Sequence, residues 1–182
     1  PMAGLRRRRA RWSGEPGAWE GRWAGDAGVL APVPYRDGGP LIWSAASVSA
    51  GIERTAKHHD GWFPIGPDAA TFATRNEEFR TAATAAGRNL DDLTTAIYLT
   101  VSIMDDADEA EAAIDTYLEG YYSAPAPAMR NFQACKGGTA DQVIDFVRSF
   151  AEGGAQHLII RCVGDHDAIQ QVLTQRRDEL LG

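Results

Sequence analysis

The stretch Ile97-Tyr98-Leu99-Thr100-Val101-Ser102-Ile103 decides the fold. Side chains alternate across a strand, so Ile97, Leu99, Val101 and Ile103 share an apolar face and Tyr98, Thr100 and Ser102 a polar-to-aromatic one. Upstream, residues 68–86 carry Phe72, Phe79 and an alanine-rich end, and suit a helix closed by Gly87. Downstream, residues 106–122 predict an acidic-fronted amphipathic helix, with Ile114, Tyr117, Leu118, Tyr121 and Tyr122 at helical spacing and Pro125 and Pro127 beyond it. Farther upstream, 41–45 is a short apolar run, 47–58 a helix and 61–64 a second short run. On the other side, Thr139-Ala140-Asp141-Gln142 has the form of a capping box and opens a helix through Val143, Ile144, Phe146, Val147 and Phe150 to Gly153-Gly154. Residues 157–163 then form a buried strand and 167–181 a closing helix. Four strands alternating with helices call for a parallel sheet wrapped by helices.

The chain has 182 residues, 44% of them hydrophobic and 24% charged, enough for one domain with a core. The expected plan is a single domain over 1–182. A leading segment, 1–39, is broken by Gly14-Glu15-Pro16-Gly17 and Asp37-Gly38-Gly39-Pro40; four strand–helix units fill 40–182, with a long irregular connection at 121–138. The formal charge is −7 although Arg6, Arg7, Arg8, Arg9 and Arg11 crowd the N-terminus, so the body is more acidic than the total. That balance argues against a nucleic-acid binder, and the Arg run predicts one turn of exposed helix before Trp12. Cys135 and Cys162 have neither C-x-x-C nor metal-ligand spacing, which predicts reduced thiols, no structural zinc and a cytoplasmic chain. His58 and His59 are adjacent and cannot both face one metal from a helix. No apolar run reaches the ~18 residues of a spanning helix, and no signal-peptide pattern opens the chain.

Six pieces occur in order: Gly39-Pro40-Leu41-Ile42-Trp43-Ser44-Ala45-Ala46-Ser47, Arg54-Thr55-Ala56, Asp60-Gly61-Trp62-Phe63-Pro64, Ala86-Gly87-Arg88, Asp105-Asp106-Ala107-Asp108-Glu109-Ala110 and Gly154-Ala155-Gln156-His157-Leu158-Ile159-Ile160-Arg161. Together, over residues 12–181, they resemble the luciferase-like monooxygenase family. The resemblance implies a (β/α)8 TIM barrel using FMN or the deazaflavin coenzyme F420, with this region matching barrel strands five to eight. A full barrel takes about 250 residues and eight strands. The expectation is therefore a half-barrel whose first half is absent; the Pro1-Met2 opening fits a chain cut or started inside a longer frame, and a second subunit completing the barrel is the other possibility.

In the family the turn after the first of these strands carries Gly-Gly and holds the cofactor phosphate, which here implies Ala45 and Ala46, with Ser47 and Val48 leading into the helix. A strand running into a helix N-terminus presents free N–H groups to a phosphate. Alanine keeps those donors but adds a methyl group and tolerates positive φ poorly; the plain alternative is that Ser47 caps the helix. Trp43 and Trp62, with Phe63, either wall the cofactor ring and substrate pocket or are barrel core. Tyr98, Thr100, Ser102, His157, Ile159 and Arg161 fall on the lumen side, where Arg161 meets an anionic substrate or cofactor group or else closes a salt bridge. The connection 121–138 corresponds to the family's cover over the substrate entrance. The absence of a Ser-His-Asp set, a P-loop and G-x-G-x-x-G suits chemistry carried by a cofactor. The implied activity is that of a flavin- or F420-dependent oxidoreductase or monooxygenase acting on a small organic molecule, partnered by a second copy or by the missing N-terminal half. The rival is an inactive remnant or assembly subunit that dimerises through open half-barrel edges.

Overall fold

The computed structural model describes Trp12, residues 17–19 and 25–27, and residues 32–181. The expected helical turn over Arg6 to Arg11 lies outside them. The chain divides into two compact units, Pro1–Ile42 and Trp43–Gly182. In the first, β1 (Gly17–Trp19) pairs antiparallel with β2 (Gly25–Ala27), Gly17 opposite Ala27. Among residues 32–40, Gly38 and Gly39 hold positive φ, as a glycine pair at a chain reversal should.

In the second unit the elements run β3 (Trp43–Ser44), α1 (Ser49–His58), β4 (Gly61–Trp62), α2 (Ala69–Ala85), β5 (Thr94–Ile103), α3 (Ala107–Tyr122), α4 (Ala126–Arg130), β6 (Ala134–Gly138), α5 (Ala140–Glu152), β7 (His157–Cys162), α6 (His166–Gln175) and α7 (Arg177–Leu181). All strand pairings within this unit are parallel. Backbone groups of successive residues point to opposite edges of a strand, and β5 uses both edges. Thr94 N–H donates to Asp60 O (3.1 Å) and Met104 N–H to Gly138 O (3.1 Å), so the even positions serve β4 and then β6 along one edge. Thr95 O accepts from Gln156 N–H (2.9 Å) and Val101 O from Val163 N–H (2.8 Å), so the odd positions serve β7 along the other.

Local chemistry sets the helix ends. The Asp68 carboxylate accepts from Thr71 N–H at 2.7 Å, Asp106 accepts from Asp108 and Glu109 N–H, and Thr139 with Gln142 closes the expected capping box. Gly87, at φ +70°, follows α2, and Ser123, at φ 53°, ends α3 before the prolines. The structure departs from expectation at three places. The irregular stretch expected at 121–138 contains α4 and β6, so the sheet has five strands rather than four. The closing helix breaks at Arg176, whose guanidinium binds Asp141 (2.5 Å) and Glu179 (2.6 and 2.8 Å). The first helix begins at Ser49 rather than at 47.

The alternation seen in the sequence of β5 separates two cores. Ile97, Leu99 and Val101 pack with Ile52 of α1, Phe72 and Phe79 of α2, and Val143, Ile144, Val147 and Phe150 of α5. On the opposite face Ile114 and Leu118 of α3, Ala126 of α4 and Val163 form a second core, against Cys135 and Tyr117. Here α3 rests on the β6 backbone: a Cβ at Gly137 would stand 2.3 Å from the Ala110 carbonyl carbon and the Glu111 nitrogen. Ion pairs clamp this contact, Arg130 to Glu111 (2.7 Å) and Asp115 (2.6 Å), and Lys136 to Glu111 (2.8 Å). Burial opposes ionisation of Glu111, but the hydrogen bonds from Lys136 and Arg130 hold its carboxyl below the usual carboxylate range. Among the described residues no helix is long and apolar enough to cross a membrane, and no group of three metal-ligating side chains converges.

Candidate cofactor and substrate site

The turn from β3 into α1 is built without a side-chain cap. Val48 takes the N-cap position in an extended conformation (φ −112°, ψ 148°), and no side chain bonds the first helical amides. Ser47, expected as the alternative cap, does not serve as one. Among the described residues Ser123 is the one non-glycine with positive φ, so Ala45 and Ala46 follow the turn without the strain that alanine would suffer in a left-handed conformation. Ala45, Ser47 and Val48 are exposed and Ala46 half-buried. The Ala46 carbonyl accepts from Trp62 Nε1–H at 2.7 Å, which ties the turn to β4. Beside the opening of α1 stands Arg75 of α2, with Nη1 3.2 Å from Ser49 Oγ and 2.7 Å from Glu78. Nothing in the sequence singled out Arg75: it lies 26 positions from Ser49 among the polar residues of an ordinary helix.

The two tryptophans part company. Trp62 is 1% exposed and stacks on Phe72 (5.4 Å between ring centroids) and Phe79 (5.9 Å), within the helix-side core. Trp43 and Phe63 lie on the other face, 6.2 Å apart, and Trp43 also meets His157 edge-on at 5.4 Å. Gly61 makes room for this: a Cβ there would come within 2.6 Å of both Trp43 Cδ1 and the Thr94 carbonyl. The Trp43 indole N–H is buried without a partner among the described residues. Past the end of β4 a cavity of about 250 Å³ is bordered by Ser47, the edge of Trp62, Ile65, Thr71, Arg75 and Phe132. Phe132, 59% exposed, thus brings the 121–138 connection to the same cavity as the turn.

Farther along the second face, register places Tyr98 beside Ile159 and Thr100 beside Arg161. Arg161 Nε donates to the Tyr98 hydroxyl. The guanidinium carbon stands 5.9, 5.6 and 5.5 Å from the ring centroids of Tyr98, Tyr117 and Tyr121. No carboxylate among the described residues pairs with it, so the salt bridge weighed from the sequence does not form there. Sequence periodicity put Tyr117 and Tyr121 on one side of a helix, but not on Arg161.

Burial disfavours the thiolate form of both cysteines, pushing the Cys135 thiol up to about 11 and raising Cys162 as well. At pH 8 the Cys135 thiolate is on the order of one part in a thousand. In folded protein at that pH, Ellman's reagent should react with both thiols at least tenfold more slowly than in urea; equal rates would contradict this burial.

The model of the luciferase-like monooxygenase family matches residues 5–157. No curated protein matches the chain. Among solved structures, an F420-dependent secondary alcohol dehydrogenase in complex with an F420-acetone adduct superposes with a TM-score of 0.81 at 14% identity, over 98% of this chain and 60% of that one. A monooxygenase from Streptomyces bottropensis gives 0.69 at 20% identity, over 98% and 59%. The coenzyme F420-dependent tetrahydromethanopterin reductase from Methanopyrus kandleri gives 0.67 at 17% identity, over 96% and 62%. These likenesses establish a shared fold, and the chain spans about 60% of the length of each of these structures. The match over 5–157, most of the chain, shows that the chain belongs to the luciferase-like monooxygenase family.

Proposed function

We propose that the chain is part of an FMN- or F420-dependent oxidoreductase, and that residues 45–48 with the first turn of α1 hold the cofactor phosphate. The observation that carries this is the uncapped, exposed opening of α1 with the Arg75 guanidinium beside it. Free amides at a helix N-terminus and a nearby cation both favour an anion. The residues fit the group in part: Ala45 and Ala46 need no positive φ and Ser47 adds a hydroxyl, while the Ser49 hydroxyl and Arg75 are shared with the Glu78 carboxylate, which a bound phosphate would have to displace. When bound, the cofactor supplies the redox chemistry, hydride transfer in the case of F420 or oxygen activation by reduced flavin.

The chain's own residues bind, orient and cover. Trp62 fixes the turn through the Ala46 carbonyl, and Trp43 offers an apolar wall on the second face of the sheet, one residue before that turn begins to leave it. The 121–138 connection acts as the cover, with Phe132 at the cavity edge excluding water. On this reading the sheet corresponds to the C-terminal strands of a (β/α)8 barrel, and the substrate is a small organic molecule. Two of the solved relatives are F420-dependent by name and another is a monooxygenase, which supports the reading without choosing between cofactors.

The test is titration of the purified chain with FMN and, separately, with F420, followed by quenching of cofactor fluorescence. Saturable binding of one of them at micromolar Kd, about −8 kcal/mol, is expected. No quenching by either at millimolar protein would overturn the proposal.

A further inference from the structure

We infer, resting on the phosphate site proposed above, that Glu78 sets the charge this site accepts, favouring a singly charged phosphodiester, the linkage in F420, over the doubly charged phosphomonoester of FMN. Glu78 stands on α2 three residues after Arg75, and its carboxylate accepts from Arg75 Nη1 at 2.7 Å. The same Nη1 is 3.2 Å from Oγ of Ser49, the first residue of α1, and the Ser49 hydroxyl also bonds the Glu78 carboxylate. A carboxylate of the chain itself thus occupies the place where an anion at the opening of α1 would find its cation and its hydroxyl. Those two bonds hold the Glu78 carboxyl below the usual carboxylate range, so it is charged at neutral pH.

The local charge balance follows from these contacts. Among the described residues Arg75 is the one cation lining the cavity beside the turn, and Glu78 offsets it. Lys57, farther along α1, is taken by Glu53 at 2.5 Å, and Glu77 borders the same groove between α1 and α2 as Glu53 and Glu78. What α1 adds is about half a positive charge at its N-terminus, which suits one negative charge better than two. A phosphate that displaces Glu78 from Ser49 and Arg75 breaks the same bonds whichever ester it is. The displaced carboxylate stays tethered to α2, an i,i+3 neighbour of Arg75 about 5–6 Å away. Coulomb repulsion is linear in charge, so the factor by which Glu78 weakens a monoanion is squared for a dianion. A charge about 6 Å away costs about threefold for one charge and about tenfold for two with water-like screening, and more with surface-like screening. The contacts lie between two helices packed through Ile52, Ala56, Phe72 and Phe79, not on a free strand edge. Cations contributed by other barrel strands would raise affinity for both esters and leave the Glu78 increment in place.

FMN and its phosphate methyl ester are the probes, with riboflavin as the control that lacks the phosphate. The two esters carry the same ring and differ by one charge at pH 7.5, because a phosphomonoester loses its second proton at about pH 6. Titrated by fluorescence quenching at pH 7.5, the unaltered chain should bind the methyl ester at least as tightly as FMN. At pH 5.5, where FMN becomes a monoanion and Glu78 stays ionised, the two should bind within about twofold of each other; no histidine lines the cavity or the groove among the described residues to titrate in that range. Glu78→Gln should raise the ratio of FMN to methyl ester affinity at pH 7.5 by at least about threefold, and Glu78→Lys by at least about tenfold, with urea unfolding to check that both variants fold. An unchanged ratio in the folded variants, tighter binding of FMN than of its methyl ester by the unaltered chain at pH 7.5, or a ratio in the unaltered chain that does not move between pH 7.5 and 5.5 would each overturn this inference alone. Riboflavin binding as tightly as both esters, or no binding of any flavin or of F420, would overturn the cofactor-phosphate proposal and this inference with it.

Discussion

Gly137→Ala should destabilise the protein by about 3 kcal/mol, at the upper end of what overpacking a close-packed interior costs. The added Cβ would meet the Ala110 carbonyl carbon and Glu111 nitrogen at 2.3 Å and the Ala110 oxygen at 2.4 Å. These are backbone atoms in the first turns of α3, so no rotamer change relieves the clash. The helix has to lift from β6, loosening Ile114 and Leu118, which are fully buried, and the Glu111 pairs with Arg130 and Lys136. Gly120→Ala gives the contrast within the same helix: a Cβ there has nothing within 4 Å, and alanine should add about 0.5–1 kcal/mol through helix propensity. Urea unfolding followed by circular dichroism reads both. The midpoint should fall for Gly137→Ala and rise for Gly120→Ala; an unchanged midpoint at Gly137 would mean that α3 does not lie on β6 as described. Because α3 carries Tyr117 and Tyr121, the same substitution should also loosen the tyrosines around Arg161.

Gly137 also shows where the sequence stops being informative. Ala134-Cys135-Lys136-Gly137-Gly138 has no apolar alternation and two glycines, so nothing local marks it as a strand. It becomes one because β5 offers an open edge beyond β4 and because glycine lets α3 approach from one side while α5 covers the other. In β5, by contrast, the period of two is unbroken, and it assigned both faces: Ile97, Leu99 and Val101 to the helices, Tyr98 to the side of Arg161. The same parity separates Trp62 from Phe63, neighbours that face opposite cores, yet a two-residue strand is too short to declare its parity without the sheet. At the site, the sequence pattern gives a short strand running into a helix, and it is the family resemblance that picks out Ala45, Ala46, Ser47 and Val48 within that turn. Neither marks the cation beside it, because Arg75 reaches Ser49 only through the packing of α2 on α1. The missing cap was likewise hidden: a serine preceding an apolar helix satisfies the usual rule, and only the backbone shows Val48 in the capping place.

That open helix end makes Ser47→Asp the substitution with the largest expected effect on binding. Ser47 is exposed, so an aspartate there meets no steric obstacle. A negative charge just before an uncapped helix favours the dipole by about 0.3–1 kcal/mol, so stability should hold or rise. A cofactor phosphate held at the same amides would face that carboxylate, and like charges about 4 Å apart repel by about 1–4 kcal/mol between solvent-like and surface-like screening. Affinity for FMN or F420 should therefore fall by about fivefold to a thousandfold while the urea midpoint does not fall, a combination that folding damage cannot produce. Ser47→Ala, which removes one hydroxyl but leaves the amides, should cost only a few-fold. Added salt should narrow the gap between Ser47→Asp and the unaltered chain, since an exposed charge pair is screened over about 10 Å at 0.1 M. Undiminished cofactor affinity in Ser47→Asp would place the phosphate somewhere other than the opening of α1, and Arg75 would then be only the i,i+3 partner of Glu78.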